Sequence, residues 1–81
     1  MKYDATVIYC DELRQPEPLL NEPEDCETVE EFIDFLYTLI ESVVEDPKAD
    51  AVLHSIETHA YIEEEFEEDG EEYTNVSIFV A

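Results

Sequence analysis

The apolar residues follow two different periods in the first half of the chain. Residues 2–10, KYDATVIYC, form a short run rich in β-branched and aromatic residues, which is typical of a strand. After residue 28 the apolar residues recur every three or four positions, which is the spacing of one helical face. Thr28 and Glu31 form a T-x-x-E capping box at its start. The pattern therefore predicts a strand and then an amphipathic helix that Pro47 ends.

The segments on either side of this helix are less regular. Residues 11–26 contain three prolines and no repeating pattern, which predicts a loop. Residues 47–56 permit two interpretations. Their apolar positions fit a second short helix at 47–56, whereas polar and apolar residues alternate from His54 to Glu63 as in a strand. We favour a turn over 47–51 and a strand that continues to about residue 66, with the short helix as the alternative.

A hairpin is predicted at the C-terminal end of the chain. Asp69-Gly70 is a turn signal between two β-prone runs. A type I turn with Gly70 as a left-handed bulge would place Ile62 opposite Val76, so that apolar residues share one face. Residues 73–80 carry no charge, which favours a central position in the sheet.

Together these elements predict an α+β fold with the order β-α-β-β. Its sheet would be a three-stranded antiparallel sheet in the order first, third, second, with one helix packed on one face. The predicted core comprises Phe32, Leu36, Ile40, Ile62, Val76 and Ile78. Tyr61, Tyr73 and Phe79, with Tyr3 or Tyr9, would lie on the uncovered face, where such an aromatic patch suggests a protein partner or a homodimer.

The charge balance narrows the classes of function. Twenty-four Asp and Glu residues stand against three Lys and Arg, which gives a formal net charge of −21 over a single acidic domain at 1–81. Such a surface repels nucleic acid and anionic lipid and attracts basic proteins. The chain shows no secretory signal and no membrane-spanning run, so we expect a cytoplasmic protein, in the host cytoplasm if it is phage-encoded. Cys10 and Cys26 are expected as reduced thiols, with a bridge between them as the alternative.

The residues that would support catalysis or metal binding are missing or badly spaced. The single glycine cannot build a phosphate-binding loop, and His54 and His59 match no zinc spacing. Aligned on Gly70, the segment 63–72 fails as a calcium loop because the required terminal Glu falls on Val76. We therefore expect no enzymatic activity, no cofactor and no metal site.

The acidic residues are concentrated on two surfaces. Eight of the ten residues in 63–72, EEEFEEDGEE, are acidic and lie at the predicted hairpin tip. A second stripe follows the polar face of the helix. Two tyrosines flank the tip and could stack on arginine side chains. The residues expected to bind a partner are Glu63, Glu64, Glu65, Glu67, Glu68, Asp69, Glu71 and Glu72 on the hairpin, Asp34, Glu41 and Glu45 on the helix, and Tyr61 and Tyr73.

In size, charge and helix-plus-hairpin plan the chain resembles the phage-encoded DNA-mimic inhibitors: the anti-CRISPR proteins, the anti-restriction proteins and the uracil-DNA glycosylase inhibitor. The resemblance spans the whole chain but rests on composition and architecture, so it carries over no functional residues. It implies an inhibitor that occupies the groove of a basic nucleic-acid-binding protein or complex. The alternatives are an immunity protein or antitoxin for a basic nuclease, and a salt-adapted acidic domain of unrelated function.

Overall fold

The computed structural model describes residues 1–11, 14–42 and 47–80, and the side chains of all of these except Pro47 and Lys48. The fold is α+β, as expected, with two helices and a mixed sheet. The elements in chain order are β1 (Lys2–Tyr9), β2 (Glu17–Pro18), β3 (Glu24–Asp25), α1 (Val29–Glu41), α2 (Pro47–Glu57), β4 (Tyr61–Glu68) and β5 (Glu71–Val80).

The predicted three-stranded antiparallel sheet is wrong. The sheet has five strands in the order β2-β1-β5-β4, and β3 also pairs with β1. The uncharged segment 73–80, which forms most of β5, does lie between β1 and β4, but it pairs with β1 in parallel, with Ala5 opposite Val76 and Val7 opposite Ile78. The pairing of β4 with β5 is antiparallel.

The parallel pairing follows from the path of the segment that was predicted to be a loop. After β1 the chain runs back beside it, so that Pro18 lies opposite Thr6 and Asp25 opposite Lys2. The Cys26 amide then donates to the Met1 carbonyl oxygen over 3.0 Å. Helix α1 therefore starts at the same end of the sheet as β1. This return pass reverses the direction of β4 and β5 relative to the prediction, in which residues 11–26 only turned the chain.

The start of α1 is the one that the capping box predicts. The Thr28 hydroxyl accepts a hydrogen bond from the Glu31 amide over 3.2 Å, and the Glu31 carboxylate accepts from the Glu27 amide over 3.1 Å. The first bond satisfies a backbone donor that a helix start leaves free, and the second ties the residue before the N-cap to the first turn. The helix is described to Glu41 with Ser42 as its C-cap, and the predicted end at Pro47 is not found because Pro47 begins α2.

The favoured interpretation of residues 52–60 as a strand is wrong, and the alternative short helix is correct. In α2 the buried apolar residues are Ala49, Val52 and Ile56, which lie three and four positions apart on one face. His59 has a φ of 60°, so the chain reverses there before β4 begins at Tyr61. The alternation near residue 60 came from a helix end and a strand start that happened to follow one another.

Both helices cover the same face of the sheet. Tyr3 on β1 stacks on Phe32 of α1 with ring centroids 5.2 Å apart, so Tyr3 belongs to the core and not to the uncovered face. Ile62, predicted in the core, is 46% exposed. The buried apolar residues are Tyr3, Ala5, Val7, Phe32, Leu36, Ile40, Ala49, Val52, Ile56, Val76, Ile78 and Val80.

The hairpin has a plain two-residue turn, and the predicted bulge is wrong. Glu68 lies opposite Glu71 and Glu63 opposite Val76, one residue away from the predicted register. Asp69 and Gly70 both have positive φ angles, 52° and 81°, which is the conformation of a type I′ turn. Ile62 was predicted to face the core, whereas on the edge strand β4 it lies, with Phe66, on the uncovered face.

Candidate acidic interface

Two directly opposed pairs of glutamates end the hairpin. Glu67 lies opposite Glu72, and Glu68 lies opposite Glu71, next to the turn. Side chains directly across an antiparallel pair have Cβ atoms about 4.5–5.5 Å apart. All eight acidic residues predicted on the hairpin are exposed. The structure therefore brings the predicted tip residues together on one projecting ribbon.

One row of these glutamates faces the start of α1. Successive side chains of a strand alternate between faces, so Glu63, Glu65 and Glu67 share the side of β4 that carries α1, spaced about 6.7 Å apart along the strand. Val29 in the first turn of α1 lines the same surface groove as Glu63 and Glu65. A second concavity, which shares Val29 with the first, is lined by Glu30, Ile33, Asp34, His59 and Tyr61. We call this surface, bounded by Glu63, Glu65, Glu30 and Asp34, the acidic groove.

The helix residues that were predicted to bind a partner do not all lie at the acidic groove. Asp34 lines it, as part of the helix stripe. Glu41 lies at the other end of α1, near Tyr37. The hydrogen bond and the charge of Glu57 raise the pKa of Tyr37 most, burial raises it further, and the charge of Glu41 adds to them. The structure therefore does not bring Glu41 to the groove. Glu45 lies outside the described residues.

Several acidic residues at the start of α1 were not among those predicted to bind a partner. Asp25, Glu27 and Glu31 line a surface concavity with Met1 and Cys26. Met1 also lines the groove beside Glu63 and Glu65, so this second cluster adjoins the first. The capping box placed Glu31 at the helix start, but only the return of residues 14–26 along β1 brings that start beside the hairpin.

The two predicted tyrosines lie on different faces. Tyr61 lines the acidic groove and stacks on His59 with centroids 5.9 Å apart, so its placement on the uncovered face is wrong. Tyr73 lies on the uncovered face, where it stacks on Phe66 with centroids 5.3 Å apart. Phe79 shares that face by alternation, whereas Tyr9 pairs in register with Val80 on the helix side.

Burial and, after it, the negative charges around the groove raise the pKa values of two nearby groups. Burial raises the pKa of Tyr3, and the charges of Glu63, Glu30 and Glu65 raise it further. These three carboxylates come from α1 and β4, so their shared effect on one phenol reflects how closely the two elements approach. Burial also raises the pKa of the Cys26 thiol, with further contributions from Glu24, Glu31 and Asp25.

The basic residues in the described part of the chain lie elsewhere. Lys2 projects to the uncovered face because it pairs in register with Tyr73. The Arg14 guanidinium lies over the Tyr9 ring, 5.0 Å from its centroid. The N-terminal ammonium of Met1 bonds to Asp25 over 3.1 Å. Neither Lys2 nor Arg14 lines the acidic groove.

Other predicted features concern cysteines, metals and membranes. Cys10 and Cys26 are both free thiols, so the alternative of a bridge between them is not found. Within residues 1–11, 14–42 and 47–80, no group of three or more His, Cys, Asp or Glu side chains could hold a metal ion. No helix in this part of the chain is long and apolar enough to cross a membrane.

No protein-family model, no curated protein and no solved structure matches this chain with significance.

Proposed function

We propose that the protein is an inhibitor that binds the nucleic-acid-binding groove of a basic protein and excludes its nucleic acid. In this proposal the carboxylates of the β4–β5 hairpin and the acidic groove take the place of backbone phosphates. The observation that carries it is the convergence of Glu63, Glu65, Glu30 and Asp34, from two different elements, on one groove that neither Lys2 nor Arg14 lines.

The spacing of the carboxylates supports this role. Glu63, Glu65 and Glu67 follow one another at about 6.7 Å on a strand that cannot collapse, because β5 holds it by continuous pairing. This separation is similar to that of phosphates along one nucleic-acid strand. A basic groove that meets such a row displaces the cations held around the carboxylates, as it does those held around phosphates, and recovers the charge contacts that it makes with phosphate.

The energetic cost of the arrangement also supports a function in binding. Like charges directly opposite one another in a sheet destabilise it, and here two such pairs adjoin the turn. General solvation would be met equally well by acidic residues spread over the surface. A basic partner removes this repulsion on binding, so the same residues that weaken the free hairpin strengthen the complex.

Competition with DNA tests the proposal. The tagged protein is immobilised, incubated with bacterial lysate at low salt, and eluted with duplex DNA or with about 1 M salt, where the Debye length falls to about 3 Å. We expect DNA to release nucleic-acid-binding proteins. Each purified target is then tested for loss of labelled DNA when the free protein is added.

Two double variants with the same change in net charge provide the control. Glu65→Lys with Glu67→Lys alters the hairpin, whereas Glu22→Lys with Asp50→Lys alters exposed residues outside the groove. Asp69 is left unchanged because its φ of 52° favours Asp over Lys. We expect the hairpin variant to lose capture and competition and the control to keep most of both. Equal behaviour of the two variants, or captured proteins that bind no nucleic acid, would refute the proposal.

A further inference from the structure

A pair of stacked aromatic rings lies exposed on the hairpin. Phe66 and Tyr73 are direct cross-strand partners, with centroids 5.3 Å apart and ring planes 12° apart. Phe66 is 41% exposed although it is a large apolar residue on an edge strand. Adjoining exposed apolar residues that are rimmed by polar residues mark an interaction surface. The pair is therefore available to a ligand that prefers the face of an aromatic ring.

Carboxylates surround this pair. On the uncovered face the neighbours of Phe66 along β4 are Glu64 and Glu68, two positions away on either side. The Tyr73 hydroxyl donates to the Glu71 carboxylate over 2.9 Å, which ties the ring to the strand. This part of the uncovered face thus combines an apolar planar surface with the negative charges of Glu64, Glu68 and Glu71.

We propose that this face of the hairpin binds an arginine side chain of the target, with the guanidinium plane stacked on the Phe66–Tyr73 pair and its N–H groups paired with Glu64, Glu68 or Glu71. The proposal rests on the proposed function and names the contact that gives it selectivity. Arginine fits both requirements because its guanidinium is planar, weakly hydrated and charged, whereas the lysine ammonium is compact and strongly hydrated.

A second copy of this chain does not fit the same surface. Glu64, Glu68 and Glu71 lie on the face that two copies would have to share, and each copy carries a net charge of −21. Like charges brought together in this way repel one another. Charge complementarity therefore selects a cationic occupant, and the exposed rings select arginine among the cations.

Peptides of equal charge separate stacking from simple attraction. The full-length protein is titrated with fluorescently labelled peptides of eight arginines and of eight lysines, and binding is followed by anisotropy. We expect the arginine peptide to bind about two- to fivefold more tightly, which is the range of an exposed cation–π contact. Phe66→Leu removes the ring and should bring the two affinities together.

Two further variants keep the result specific to the ring. Phe66→Trp retains an aromatic face and should preserve or raise the preference for arginine, because Trp is the strongest cation–π partner. Ile62→Ala removes apolar surface from the same face of the same strand, at a residue that is 46% exposed, and should leave the preference unchanged. Circular dichroism of each variant shows that its fold is retained.

The outcomes distinguish this inference from the proposed function. If both peptides bind with equal affinity to the unaltered protein, or if Phe66→Leu keeps the full preference, the arginine site is refuted. If the arginine site is refuted in this way but Glu65→Lys with Glu67→Lys still weakens the binding of both peptides, the proposed function stands without the arginine site. If neither peptide binds at low salt, both proposals are refuted together.

Discussion

Glu67 and Glu72 lie directly opposite each other across the hairpin, so that two carboxylates of the same sign occupy one cross-strand pair. Such pairs are normally filled by opposite charges, by aromatic residues or by β-branched residues. The next pair towards the core, Phe66 with Tyr73, supplies the aromatic contact that compensates. The aromatic pair and the turn therefore stabilise the hairpin, whereas charge repulsion destabilises its end.

Replacing one member of this pair should stabilise the domain. Glu72→Lys converts a repulsive cross-strand pair into an attractive one, and we expect the free energy of unfolding to rise by about 0.5–1.5 kcal/mol. Urea unfolding at low salt measures it. Glu22→Lys makes the same change in net charge at an exposed residue without a cross-strand partner, so it should stabilise less. A gain for Glu72→Lys that is no larger than that of the control would argue against the pair as its source.

Two leucines of α1 provide a matched test of the core. Leu36 is 0% exposed and Leu39 is 40% exposed, three residues apart in the same helix. We expect Leu36→Ala to lower the free energy of unfolding by about 2–5 kcal/mol, because a cavity is left between the helix and the sheet. Leu39→Ala should cost less than about 1 kcal/mol. Similar costs for both would contradict the orientation of α1.

The turn should depend on the backbone of Gly70. Its φ is +81°, and an added Cβ would meet no atom within 4 Å, so any cost of a side chain there is conformational and not steric crowding. We expect Gly70→Ala to destabilise the domain by about 1–2 kcal/mol. Gly70→Asn should cost less, since Asn enters the left-handed region more readily. Equal stability of the Ala variant would contradict the type I′ turn.

The Cys26 thiol should react slowly in the folded protein. Burial raises its pKa, and the charges of Glu24 and Glu31 raise it further, so less thiolate is present near pH 8 than in the unfolded chain. We expect a Cys10→Ser variant to react with iodoacetamide more slowly when folded than in urea. Added salt should recover part of the difference, because it screens the glutamates and does not alter burial.

A Cys26→Ser variant, which leaves Cys10, serves as the comparison. Cys10 is exposed, so unfolding should change its rate of modification much less. If Cys26 reacted equally fast in the folded and unfolded states, its proposed burial beside the acidic cluster would be wrong.

Local features of the fold could be predicted from the sequence. The capping pair Thr28 and Glu31 identified the start of α1, and Asp69-Gly70 located the hairpin, because each depends on bonds or angles within a few residues. The hairpin register could not be found in this way. The rule that apolar residues face the core failed at Ile62, since that residue lies on the face of the edge strand that the helices do not cover.

The direction of the sheet depended on contacts that leave little trace in the sequence. β2 and β3 have two residues each, and Pro18 lies within the first of them. Such short pairings follow from the neighbouring strand and not from local preference. The candidate site shows the same division. The acidic run at 63–72 is visible as charge in the sequence, whereas its approach to Glu30 depends on the return of residues 14–26 along β1.

The parallel pairing of β1 with β5 also has a consequence for the rate at which the chain folds. The Thr6 hydroxyl donates to the side-chain oxygen of Asn75, a partner 69 residues away, so the central pair of the sheet joins opposite ends of the described chain. Closing a loop of that length costs entropy before any of its contacts form. Native contacts of such large sequence separation slow folding. The hairpin and α1, whose contacts are local, can form earlier, and the domain gains its full cooperativity only when the first strand docks against the last.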